Sequence, residues 1–69
     1  MPIAMIHIAV GRSDEKKHDL LMAVSQAIAT SLEVSIDSVR VIIQEIPESQ
    51  WAAGGQTLAE RRASEKSVI

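Results

Sequence analysis

The chain has 69 residues and a mass of 7.5 kDa, which is one small domain with room for a single thin core. Nine acidic against seven basic residues leave a formal charge of −2 and a pI near 5.5, and this excludes the basic footprint of a nucleic-acid binder. There are no cysteines, and His7 and His18 stand far apart, so neither a disulfide framework nor a metal site is expected to staple the chain. Apolar residues nevertheless make up 46% of the sequence, with Trp51 the sole aromatic. A chain this short and this apolar, with no staple, gains stability by associating with copies of itself, so an obligate homo-oligomer is expected.

The N-terminus lacks the basic segment of a secretory leader, and its apolar run over residues 2–10 is shorter than a membrane span. With no membrane segment, low-complexity stretch or internal repeat, the expectation is a soluble, cytoplasmic protein. The run itself, rich in isoleucine and closed by Gly11, reads as a strand covered on both faces, as in a parallel sheet or at a subunit interface. The period then changes. Ser13 is a good N-cap, with Asp14 and Glu15 in the turn where the helix dipole favours negative charge. Leu20, Leu21, Val24, Ala27, Ile28 and Leu32 follow at helical spacing, which predicts a helix over residues 14–32.

A polar connection over residues 33–38 leads to Val39-Arg40-Val41-Ile42-Ile43-Gln44-Glu45-Ile46, dense in β-branched residues and stopped by Pro47, a second strand. Strand, long helix and strand make a βαβ unit of α/β class with parallel strands and a right-handed crossover. Two strands and one helix do not stand alone in water, which agrees with the composition argument. Beyond them, the Gly54-Gly55 pair after Trp51-Ala52-Ala53 marks a turn or tight hairpin. Thr57-Leu58-Ala59-Glu60 fits a capping box for a short helix over residues 58–65, while an extended arm lying on a neighbouring subunit is equally compatible with the tail.

Four residues stand out for chemistry. Pro2 follows the initiator methionine, and a small second residue generally permits methionine removal, which exposes a secondary amine. A terminal amine titrates at about pH 8 when unperturbed. An apolar site and nearby cations would lower that value towards neutrality, the range of a useful general base. Alternatively, proline simply begins the strand, where its missing N–H does no harm. Arg40 lies in an apolar strand and so must reach a sheet edge, a carboxylate or a polar pocket. Arg12 occupies the turn between strand and helix. Two guanidinium forks near one site suit a dicarboxylate or keto acid, and solvent-facing salt bridges are the other reading for each. Trp51 in its glycine-rich loop is either the wall of an apolar pocket or an interface anchor. His7 and His18 read as structural, and Met5 and Met22 as packing residues.

Met1-Pro2-Ile3-Ala4-Met5-Ile6-His7-Ile8, Gly11-Arg12-Ser13-Asp14-Glu15, Ser38-Val39-Arg40-Val41-Ile42-Ile43, and Trp51 ahead of Gly54-Gly55 together resemble the 4-oxalocrotonate tautomerase family over residues 2–55. The resemblance implies a single tautomerase domain over residues 1–69, with its core in 2–55 and a C-terminal arm in 56–69. It implies a hexamer built as a trimer of dimers, with active sites at subunit contacts. It further implies an isomerase of aromatic-compound catabolism that needs no cofactor or metal and acts on a small enol carboxylate or dicarboxylate such as 2-hydroxymuconate. Pro2 would be general base and then acid. Arg40 would bind the 2-oxygen and adjacent carboxylate, Arg12 the far carboxylate from a neighbouring subunit, and Trp51 would supply the apolar wall.

Departures from the family pattern define the alternatives. Ala9-Val10 replace a larger apolar residue and an acid, which implies a roomier pocket. The dehalogenase branch needs an arginine on the first strand and a water-activating carboxylate in the aromatic loop. Here those places hold Ala9 and Ala52-Ala53, with Glu48 the only acid nearby. A decarboxylase-type reaction on the same scaffold, or a non-catalytic binding or scaffolding oligomer, are the remaining readings. The Arg61-Arg62 pair has no assigned role.

Overall fold

Alternation of side chains along two short apolar strands sets the architecture. In the computed structural model, which describes residues 1–67, the elements are β1 (Ile3–Ala9), α1 (Asp14–Leu32), β2 (Arg40–Ile46), β3 (Ala52–Ala53), β4 (Gln56–Thr57) and α2 (Leu58–Ser67). Single 3-10 turns occupy Ile36–Ser38 and Glu48–Gln50. β1 and β2 pair in parallel, with Ile3 opposite Arg40 and Ala9 opposite Ile46. The expected βαβ unit is therefore present. The tail is helical, in agreement with the capping box and not with an extended arm, and it continues to Ser67, past the predicted end at residue 65.

The long helix starts where its chemistry directs. Ser13 is extended at φ −69° and ψ 158°, and its Oγ accepts from the Lys16 N–H at 3.2 Å. Glu33 ends the helix in the left-handed region at φ 54°, a conformation that a side chain with Cβ adopts only at a cost. α2 begins with the reciprocal box that its sequence encodes. Thr57 Oγ1 accepts from the Glu60 N–H at 3.0 Å, while Glu60 Oε1 accepts from the Thr57 N–H at 3.3 Å and from its hydroxyl at 2.9 Å.

Because β-strand side chains alternate, the register places Ala4, Ile6 and Ile8 beside Val41, Ile43 and Glu45 on one face. This face is the half-buried one, and α1 covers it with Leu20, Leu21, Val24, Ile28 and the buried Ala29. Lys17 on α1 fixes the crossing: its Nζ lies 2.9 Å from Glu45 Oε1 on β2 and 3.2 Å from Asp14 Oδ1. The opposite face is bare, with Ile3 63%, Met5 61% and Ile42 49% exposed. Within the chain β1 is covered on one face only, because one helix is wide enough for one face of two strands. The expected second cover is not supplied by the chain itself, and Met5 and Met22 are 61% and 53% exposed.

Among the described residues only Ala9, Ala29 and Val39 are buried. The radius of gyration is 15.9 Å, against about 11 Å for a compact chain of this length. Each large aliphatic side chain gains about 1.5–3 kcal/mol on full burial. Leaving this face in water withholds several such contributions from a fold whose net stability is typically about 5–15 kcal/mol. No described helix is long and apolar enough to cross a membrane.

The Lys17 cluster carries a pH signature. Hydrogen bonds to the Glu45 and Asp14 carboxylates raise the Lys17 pKa above its ordinary value of 10.5. A group whose pKa is raised on folding stabilises the fold fully below its unfolded value and loses that contribution as pH rises through the folded one. Denaturant midpoints followed from pH 8 to pH 11 should hold steady and then fall above about pH 10.5. In a Lys17→Met variant that alkaline fall should be shallower.

Candidate active site

The parallel register gathers the candidate residues at two ends of one short sheet. At the end where both strands begin, the Arg40 N–H donates to the Pro2 carbonyl at 3.0 Å. Pro2 is half-buried there, and Met1 ahead of it is 82% exposed. Arg40 is the first residue of β2 rather than an interior one, so its guanidinium escapes the apolar strand, and it has no carboxylate partner among the described residues. Its Nη1 donates to the Asp37 carbonyl at 2.7 Å and approaches the Val39 carbonyl at 3.5 Å. The preceding turn holds those carbonyls in place. Ser35 Oγ accepts from the Asp37 N–H at 3.3 Å, and the Val39 N–H donates to the Ile36 carbonyl at 3.1 Å.

At the other end, Gly11 takes φ 122°, which lets the chain turn out of β1, and Arg12 follows exposed. Arg12 Nη1 donates to the Ala9 carbonyl at 3.1 Å. Trp51 lies beyond the end of β2, half-buried, and its carbonyl accepts from the Leu58 N–H at 2.7 Å. Residues 52–57 form the tight hairpin that the glycine pair predicts. Ala53 pairs antiparallel with Gln56 across Gly54 at φ 63° and Gly55 at φ 78°, both in the left-handed region required by a two-residue turn.

Strands rise about 3.3 Å per residue, so the two ends stand roughly 20 Å apart. The fold thus brings Pro2 to Arg40, leaves Arg12 and Trp51 on the far side, and unites all four only if copies of the chain share a site. His7 on the bare sheet face and His18 on α1 are both exposed. Among the described residues, no group of three or more His, Cys, Asp or Glu side chains could hold a metal ion.

The aromatic loop contains contacts that the sequence did not disclose. Glu48, three residues before Trp51, forms an ion pair with Arg62. Its carboxylate is therefore engaged by a guanidinium, a poor arrangement for activating water. Arg61 Nη2 donates to the Ala53 carbonyl at 3.1 Å. A small cleft of about 100 Å³ is lined by Trp51, Ala53, Gln56, Leu58 and Arg61. A larger open groove of about 360 Å³ runs along α1 and is lined by Val24, Ala27, Ile28, Ser31 and Leu32. It is almost wholly apolar and offers no group for chemistry.

Comparison with known proteins supports the same region of the chain. Residues 2–61 match the tautomerase enzyme family. A 2-hydroxymuconate tautomerase of Stutzerimonas stutzeri is 53% identical over 57 residues, covering 83% of this chain and 90% of that protein. One from Pseudomonas putida is 48% identical over 62 residues, covering 90% of this chain and 98% of its own. Among solved structures, a heterohexamer 4-oxalocrotonate tautomerase from Chloroflexus aurantiacus superposes with a TM-score of 0.85 at 42% identity, over 87% of this chain and 97% of that one. A 4-oxalocrotonate tautomerase homologue of the tomaymycin biosynthetic pathway gives 0.90 at 36% identity, over 93% and 98% respectively.

The hairpin's dependence on its glycines is directly testable. A Cβ at either position meets no atom within 4 Å beyond the adjoining residues, so replacing both by alanine acts through local backbone strain. The left-handed conformation then costs about 1–2 kcal/mol per residue. The Gly54→Ala/Gly55→Ala double variant should loosen the hairpin and shift Trp51 fluorescence to the red, with the far-UV dichroism of α1 retained.

Proposed function

The chain belongs to the tautomerase family and is a keto–enol tautomerase, and we propose that it acts on 2-hydroxymuconate-like 2-hydroxydienoates with Pro2 as the base. One observation carries this assignment of the base: Met1 projects into solvent while Pro2 is half-buried at the start of β1, bonded to the backbone of Arg40. Removal of Met1 leaves a secondary amine at the end of the sheet where the register puts Arg40, the first residue of β2.

The proposed reaction needs one proton and no cofactor. The neutral Pro2 amine takes the proton from the 2-hydroxyl of the bound dienol and becomes a secondary ammonium, and the substrate becomes a dienolate. Arg40 binds the 2-oxygen and the adjacent carboxylate, and its charge stabilises the oxyanion as it develops. The ammonium then delivers the proton to a carbon of the dienolate, the 2-oxo product leaves, and the neutral amine is restored. Arg12 grips the far carboxylate, and Trp51 forms the apolar wall that keeps the amine pKa low. A guanidinium fork suits both carboxylate roles because it donates two parallel N–H bonds to one planar group.

The site requires association. Arg12 and Trp51 lie a strand's length from Pro2 within one chain, so the far carboxylate clamp and the wall come from a neighbouring copy. The bare face carrying Ile3, Met5 and Ile42 supplies the apolar area for that contact. A homohexamer is the proposed assembly, in line with the heterohexameric relative.

Intact mass of the purified protein should show loss of Met1. Pro2→Ala should preserve assembly and reduce ketonisation of 2-hydroxymuconate by at least about a hundredfold, the usual scale of a positioned general base. Arg40→Ala should lower kcat strongly, whereas Arg12→Ala should mainly raise KM, the sign of lost uniform binding. The kcat/KM profile should rise through a limb near neutral pH and vanish with Pro2. Methionine-free protein with no activity on any enol dicarboxylate would overturn the assignment. Assembly has its own readout: the thermal midpoint should climb with protein concentration, and a constant midpoint would remove the shared site.

A further inference from the structure

The two arginines without a role in the sequence sit on either side of the aromatic loop. Arg62 on α2 pairs with Glu48, three residues before Trp51, and Glu48 is 24% exposed at its side chain. Arg61, its neighbour in sequence, donates to the carbonyl of Ala53, two residues after Trp51. Between them the Trp51 carbonyl accepts from the Leu58 N–H, at the first residue of α2. The Thr57–Glu60 box fixes where that helix starts. α2 therefore grips the loop at three points spread over residues 48–53, with Trp51 at the middle one. Arg61 also lines the same small cleft as Trp51.

We propose that Arg61 and Arg62 are positioning residues, which hold Trp51 at the height and angle that the tautomerase pocket needs. The inference rests on the reading of Trp51 as the pocket wall. A clamp is needed for a physical reason. The loop is a two-residue turn flanked by two-residue strands, and so short a hairpin does not hold its shape alone in water. An anchoring helix converts it into a rigid support, and rigidity of the wall decides how well the apolar part of the substrate is seated. Glu48 belongs to this clamp: its carboxylate is spent on Arg62 and serves position rather than chemistry.

The experiment uses the assembled, methionine-free protein and exploits the absence of any other aromatic residue, so that emission reports on Trp51 alone. Arg61→Ala and Arg62→Ala should each shift the emission to the red and raise its quenching by acrylamide. They should raise KM for 2-hydroxymuconate about threefold, the scale of one partly exposed ion pair or hydrogen bond, with a smaller change in kcat. Glu48→Gln breaks the same pair from the other side with α2 intact and should reproduce the Arg62→Ala phenotype. Arg62→Lys should recover part of both signals. Trp51 emission and quenching unchanged in the Arg61→Ala/Arg62→Ala double variant would overturn the proposal. Emission that moves while KM does not would overturn it too, and Trp51→Ala tells which premise failed. An unchanged KM in Trp51→Ala means that tryptophan is not the pocket wall, whereas a raised KM there leaves the arginines without a positioning role.

Discussion

A single backbone hydrogen bond, from the Arg40 N–H to the Pro2 carbonyl, sets the register on which the rest of the molecule depends. It opens a ladder that pairs Ile3 with Arg40 and runs without a bulge to Ala9 and Ile46. Side chains alternate strictly along such a ladder, so a slip by one residue would exchange every partner between the helix face and the bare face. It would also move Arg40 away from Pro2. The isoleucines and valines enforce this register by burial against α1, and Lys17 secures it from the side by pairing with Glu45. The residues that give the sheet its cohesion therefore also bring Pro2 and Arg40, the first half of the proposed site, to one end of it.

The same ladder separates the two halves. Seven-residue strands run too far for one chain to close a pocket around a small dicarboxylate, with Pro2 and Arg40 at one end and Arg12 and Trp51 at the other. The chain also leaves Ile3, Met5 and Ile42 uncovered and buries only three described residues. The incomplete core and the divided arrangement of the proposed site have one origin, a subunit of two main strands and one long helix. Under the proposed assembly both are completed together, so chemistry and association cannot be separated in this protein.

Glu48 illustrates how a contact can decide between chemistries. By sequence it is the one acid near the aromatic loop, and a free carboxylate there would be able to activate water. Its pairing with Arg62 removes that freedom and gives it a different task, tying the loop to α2. The hydrogen bond from Arg61 to Ala53 works on the other side of the same loop. What reads in sequence as a surplus of charge in a polar tail is, in three dimensions, a frame around the only aromatic side chain.

The local features of this protein were legible in its sequence because each depends on near neighbours. The Ser13 cap, the helix over residues 14–32, the two β-branched strands, the Gly54-Gly55 turn and the Thr57–Glu60 box all follow from spacing and side-chain chemistry within a few positions. Pro2, Arg12, Arg40 and Trp51 were legible as candidates for the same reason, as unusual residue types in their settings. Only the tertiary structure decided which of them meet. The pairing of Pro2 with Arg40, the bridge of Lys17 to Glu45, the bare face around Met5, and the grip of Arg61 and Arg62 on the loop join residues far apart in the chain or depend on which faces are covered. A linear pattern states which face a residue occupies in its own element. It does not state which element will lie against that face, because that is settled by how strands and helices pack in space.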